Sequence, residues 1–97
     1  MEEAGESAER PGIDVFFAIE EGAPRQEITR WLAELRANGV ATDTDYAGRS
    51  LKGQLTQAGR LGAAATVIVG RDGAVLRRPG AADEPIAPAD IVGRLSG

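Results

Sequence analysis

Between residues 13 and 69 the apolar positions fall into runs and stripes of two kinds. "IDVFFAI" (13–19) and "ATVIV" (65–69) are short unbroken apolar runs rich in β-formers, the pattern of strands covered on both faces. Between them, Ile28, Trp31, Leu32 and Leu35 recur at i, i+3, i+4 and i+7, a helical stripe that Pro24 opens and Asn38-Gly39 closes. "VATDTD" (40–45) alternates weakly and predicts a second strand. From Ser50, an expected N-cap, Leu51, Leu55 and Ala58 share one face as far as Leu61, with Gly62 as the stop.

After residue 69 the rhythm changes. Asp72-Gly73 in "GRDGAVLRR" sits between two apolar segments and predicts a hairpin, so a fourth strand runs antiparallel to the third. "PGAADEP" is a turn, the residues around Ile86-Ala87 predict a short edge strand, and "PADIVGRL" predicts a terminal helix opened by Pro88. The order is β-α-β-α-β-β-β-α. Its first five elements require right-handed crossovers and a parallel three-strand core with helices on both faces, an α/β class. "MEEAGESAERPG" (1–12) has no large apolar residue beyond Met1 and reads as a flexible acidic leader or interdomain linker, which leaves 13–97 as one domain.

Charge alters this picture only locally. The net charge is −4, but the leader holds four acids against one base, and the other 85 residues carry 11 acids and 10 bases. Bulk electrostatics therefore neither requires nor forbids a nucleic-acid partner, and such a site has to be a local patch. No cysteine and no histidine occurs, which removes disulfides, thiolates, imidazole catalysis and the common zinc sites. The absence of a long apolar segment and of a basic-then-apolar start predicts a cytoplasmic protein without a membrane partner.

In open α/β sheets ligands gather where loops leave the carboxyl ends of the parallel strands, here 20–25, 44–50 and 70–73. The second of these, in "DTDYAGRSLKGQL" (43–55), brings Arg49, Ser50 and Lys52 to a helix amino end that attracts phosphate, with Tyr46 beside it as a surface on which a base can stack. Each residue has an ordinary alternative: Ser50 as a cap, Arg49 and Lys52 as solvated cations, Tyr46 packed on the sheet edge. Gly53 is less ordinary, because a glycine inside a helix costs about 1 kcal/mol against alanine. Close approach of a ligand and tight packing against a neighbour explain it equally well. Asp43 and Asp45 form a D-x-D pair of the kind that holds magnesium, but no third acid is near, and a solvated edge is expected. No dinucleotide or nucleotide-phosphate loop motif is present.

The stretch "LRANGVATDTDYAGRSLKGQLTQAGRLGAAATVIVG" resembles the anticodon-binding domain of class II aminoacyl-tRNA synthetases, and "GRSLK.Q" favours the histidine enzymes over their threonine, proline and glycine relatives. The likeness runs over about residues 13–97. It implies a three-layer α/β/α domain with a five-stranded mixed sheet, order 2-1-3-4-5, strand 4 antiparallel. It points Arg49, Ser50, Lys52 and Gln54 at the anticodon stem-loop of tRNA, with Tyr46 and the strand-end loops nearby. The family commonly has an acidic residue just after the strand-3 glycine, and a longer hairpin; here Arg71 stands in that place, which makes it a candidate RNA contact of altered character.

The resemblance further implies a class II catalytic domain elsewhere in the same polypeptide, working with ATP and magnesium, and dimerisation of the full-length enzyme. No cofactor is expected in this chain, and by itself it should not aminoacylate. DNA is not an expected partner. Two other readings remain: a free-standing synthetase-like module for protein–protein or regulatory interaction without RNA, and a hydrolase built on Ser50 and the aspartates, for which no general base accompanies the hydroxyl.

Overall fold

Four consecutive residues of the first strand, Val15, Phe16, Phe17 and Ala18, are buried, and burial on both faces is what sets the layers of the protein. The computed structural model describes residues 12–45 and 48–96; the leader over 1–11 and Tyr46 lie outside the described residues. Strand β1 (Val15–Ile19) is followed by α1 (Arg25–Ala37), β2 (Thr42–Thr44), α2 (Leu51–Arg60), β3 (Ala65–Val69), β4 (Ala74–Arg77), β5 (Glu84–Ile86), a 3-10 turn (Pro88–Asp90) and α3 (Ile91–Ser96). The sheet order is β2-β1-β3-β4-β5. β1 pairs in parallel with β2 and β3, and β4 pairs antiparallel with β3 and β5. This is the mixed five-stranded sheet expected from the element string and from the resemblance.

The register assigns the side chains to two unequal layers. Phe17 of β1, Val67 and Val69 of β3 and Leu76 of β4 point to the face that α1 and α3 cover, where they pack with Ile28, Trp31, Leu32, Leu35 and Ile91. Phe17 and Trp31 meet as tilted rings with centroids 6.3 Å apart. The opposite face holds Phe16, Ala18 and Ala58, joined by the half-buried Ile13, Leu51, Leu55 and Ile68. Among the described residues only α2 covers that side, and it packs mainly over β1. Val75, paired with Ile68 and with Pro85, is half-buried and Pro85 is exposed, so this face opens toward β4 and β5.

Helix ends follow the residues named for them. Pro24 occupies the N-cap position of α1, and Gly39, at φ +85, receives the chain after Asn38. Gly62, at φ +67, does the same after α2. The hairpin closes with the Gly70 amide donating to the Gly73 carbonyl at 2.8 Å. β2 is only three residues long, which fits its weak alternation, and it is held by side chains as well as by the ladder. The Thr44 hydroxyl donates to the Phe17 carbonyl at 2.7 Å, and the Arg36 guanidinium donates to the Thr42 carbonyl at 3.0 Å. No helix among the described residues is long and apolar enough to cross a membrane.

Two predictions test this packing. Phe17→Ala removes the ring at the centre of the larger layer and is expected to cost about 3 to 5 kcal/mol in urea unfolding, with altered Trp31 fluorescence. On the turn between β4 and β5, the Arg77 guanidinium donates twice to Asp83, at 3.1 Å and 3.1 Å. Those hydrogen bonds first hold the Asp83 carboxyl below the usual carboxylate range; desolvation opposes them, and the Arg77 charge adds a lesser lowering effect. A depressed carboxyl stabilises the fold above its unfolded value, and that contribution fades as pH falls through the folded one. Asp83→Asn should therefore remove a small acid-side loss of stability below about pH 4, read as converging urea midpoints of the two proteins at low pH.

Candidate nucleic-acid interface

The loop from β2 into α2 is built around a buried carboxylate. The Asp45 side chain is 2% exposed; one oxygen accepts the Arg49 amide at 2.8 Å and the other accepts the Arg49 guanidinium. Gly48 turns the chain at φ +76, and Ser50, extended at φ −62 and ψ 164, starts the helix with its hydroxyl accepting the Gly53 amide at 3.2 Å. The expected cap is thus present. The expectation of a solvated Asp43–Asp45 edge is corrected for Asp45, because a buried carboxylate four residues from an arginine has a charged partner within the loop itself. Asp43 is half-buried and accepts the Thr44 amide at 2.8 Å. Among the described residues no three acidic, histidine or cysteine side chains gather as a metal site.

Gln54, which the resemblance points at the anticodon stem-loop, is withdrawn from solvent. It is 4% exposed. Its Oε1 accepts the Ile19 amide at 2.7 Å, while its Nε2 donates to the carbonyls of Ile19 and Arg49, each at 2.9 Å. Both amide hydrogens are therefore committed to the backbone. Gln54 bolts the first turn of α2 to the last residue of β1, which pairs with Val69 of β3 but lies beyond the last β2 pair, Phe17 with Thr44. A polar residue three positions after Leu51 and four before Ala58, inside the apolar stripe, was the available signal.

What reaches solvent is cationic. Arg49 is half-exposed beyond its pairing with Asp45, Lys52 is exposed and makes no ion pair among the described residues, and Arg60 is exposed at the far end of α2. A shallow hollow of about 400 Å³ along this face is lined by Arg49, Ser50, Lys52, Thr56, Gln57 and Arg60 together with Gly53, and among the described residues no carboxylate lines it. The first turn of α2 contains no acidic side chain. The helical pattern leaves the amides of Leu51 and Lys52 without intrahelical acceptors, so the positive end of the helix adds to the three cations. Thr56 and Arg60 were not singled out from the sequence, although their spacing of four and eight from Lys52 places them on one line.

Arg71 is elsewhere. An added β-carbon at Gly22, which has φ +88, would lie 2.9 Å from the Arg71 Nε, so the guanidinium rests on the turn between β1 and α1. In return, a β-carbon at Gly70 would lie 2.6 Å from a Glu20 carboxylate oxygen. Each strand-exit loop gives up a side chain where the other loop presses in. A second hollow of about 540 Å³, lined by Glu20, Glu21 and Arg25 on one side and Arg49, Ser50 and Gln54 on the other, separates this rim from the α2 corner. The structure thus brings Arg49, Ser50 and Lys52 together, withdraws Gln54 into the scaffold, and places Arg71 on the neighbouring loops.

No protein-family model matches the chain. Over 70 residues it is 44% identical to the histidine–tRNA ligase of Desulforudis audaxviator, a match taking in 72% of this chain and 16% of that protein. Its fold superposes on apo histidyl-tRNA synthetase from S. aureus with a TM-score of 0.80 and 27% identity, over 90% of this chain and 24% of the other. It also superposes on the RNA binding domain of threonyl-tRNA synthetase from Cryptosporidium parvum Iowa II with a TM-score of 0.71, over 89% of this chain and 23% of the other; at 13% identity that likeness concerns fold alone. The chain is therefore similar to a domain of the aminoacyl-tRNA synthetases. In sequence and structure together, the particular likeness is to the histidine enzymes. The chain spans about a sixth of the length of the curated relative it matches.

Gln54→Leu keeps the volume but strands the Ile19 amide and carbonyl. Leaving such groups buried without partners is expected to cost about 2 to 4 kcal/mol in chemical denaturation, and hydrogen exchange at the Ile19 amide should accelerate more than at Phe17.

Proposed function

We propose that this chain is the tRNA-binding module of a histidyl-tRNA synthetase, and that it holds the anticodon stem-loop at the amino end of α2 while a catalytic domain of the same polypeptide carries out aminoacylation. The observation that supports this most is the α2 hollow, in which three cations, a capped helix start and, among the described residues, no carboxylate face solvent on a body of nearly balanced charge. The sequence likeness to histidine–tRNA ligases supplies the substrate class.

Contacts to phosphate position a nucleic acid and contacts to base edges discriminate it. Lys52 and Arg60 suit the first task as exposed cations, with the Leu51 and Lys52 amides as outward donors. Arg49 suits a directed contact, because its pairing with Asp45 fixes one side of the guanidinium and leaves the other on the rim. The strand-exit loops with Glu20 and Arg71 flank this corner and offer acceptors and donors of opposite charge for bases splayed from the loop. Tyr46 enters the same reading as a stacking surface. ATP, magnesium and dimerisation belong on this reading to the full-length enzyme, acting in the cytoplasm, and this chain contributes binding and orientation.

Lys52→Ala carries the cleanest test, since among the described residues that side chain has no hydrogen-bond or ion-pair partner. It is expected to weaken binding of a histidine tRNA and to reduce the slope of log affinity against log salt by about 0.7. Arg49→Ala should weaken binding as well, with some loss of stability from the carboxylate it leaves behind. Unchanged affinity and slope in both variants would remove the α2 corner from the interface. A wild-type domain that binds no tRNA yet retains a protein partner would favour the free-standing interaction module instead.

A further inference from the structure

Gly53 occupies the third position of α2, where a side chain is expected, and its surroundings give a reason. A β-carbon built there would lie 3.3 Å from the Arg49 Cβ, 3.4 Å from the Arg49 Cδ and 3.6 Å from the Ser50 Oγ, closer to Arg49 than nearly all real β-carbon contacts. These three nearest atoms all belong to the two residues just before the helix. The space kept open by Gly53 is filled by the aliphatic stem of Arg49, which runs back across the first turn of the helix and delivers its guanidinium to the buried Asp45. The same turn also provides the Gly53 amide that the Ser50 hydroxyl accepts, so the cap and the arginine share one turn of backbone.

We infer that Gly53 is a positioning residue for RNA binding: its missing side chain lets Arg49 lie folded over the helix start, held at Asp45 and directed to the rim. This rests on the proposed function and deepens it by naming what fixes the posture of Arg49. In helix terms glycine is the wrong residue here, because alanine would lower the cost of ordering the backbone. Its retention trades helix stability for a guanidinium held in one place. An arginine fixed before the ligand arrives loses less side-chain freedom on binding than a solvated one. With alanine at 53, the stem must lift by a few tenths of an ångström along its length and the Asp45 contact is displaced.

The test is Gly53→Ala, alone and combined with Arg49→Ala, in the full chain. Expected first is a cooperative unfolding transition with a midpoint near that of the wild type, because the helix gain from alanine opposes the weakened Asp45 contact. Expected second is a drop of about tenfold in affinity for an RNA hairpin carrying the histidine anticodon. Expected third is no further drop when Gly53→Ala is added to Arg49→Ala, since an absent arginine cannot be misplaced. The Arg49 Nε–Hε resonance supplies a readout that needs no RNA: distinct from free arginine in the wild type, it should move toward the free position in Gly53→Ala. Wild-type affinity, an equal drop in the Arg49→Ala background, or an unmoved resonance overturns the inference. Failure of the wild type to bind the hairpin, with the resonance shift intact, instead overturns the proposed function and leaves the packing of Arg49 on Gly53 standing.

Discussion

The arrangement of the candidate interface depends on one buried amide. At the end of β1, Ile19 pairs with Val69 of β3 but lies beyond the last β2 pair, Phe17 with Thr44, and Gln54 satisfies its amide and carbonyl while also taking the carbonyl of Arg49. Because buried polar groups are costly when unpaired, these three hydrogen bonds fix where α2 begins relative to the strand exit. Asp45 closes the same corner from the other side by holding the amide and guanidinium of Arg49. The cationic face of α2 is therefore attached to the most buried strand of the sheet, and it takes its orientation from the scaffold.

That attachment explains why the helix start combines features that look contradictory in isolation. A glycine that weakens the helix, a glutamine within an apolar stripe and an aspartate buried at a strand end each break a local rule. Together they form one device: Gln54 seats the turn, Asp45 anchors the arginine, and Gly53 clears its path. Local rules broken at one place and obeyed elsewhere are a mark of a functional site. The opposite rim shows a related economy of space, with Gly22 admitting Arg71 and Gly70 admitting Glu20.

Much of the architecture was legible in the sequence because it is written in local periodicity. The unbroken runs at 13–19 and 65–69, the stripe from Ile28 to Leu35, the Ser50 cap and the Asp72-Gly73 hairpin each correspond to an element or an end of one. The parallel three-strand core followed from the element string and the crossover rule, and the order 2-1-3-4-5 from the resemblance to synthetase domains. The site was less legible, since its determinants are partnerships across distance. Gln54 meets Ile19 across 35 residues, and Arg71 meets Gly22 only because two strand exits are adjacent in space. Asp45 was misread as solvated because sequence gives the charge of a neighbour four residues away without giving its burial. Lys52 and Ser50 were readable because helix position alone decides what they do.

The most direct test of the account is an amide-shift titration of the labelled chain with a hairpin of histidine tRNA. The account predicts that the largest shifts map to residues 49–53 and extend along α2 to Arg60, with the strand-exit rim following and the outward face of α1 at Glu27, Arg30 and Glu34 still. Shifts centred on the open sheet face at Val75, Arg77 and Pro85, with the α2 turn unmoved, would contradict it.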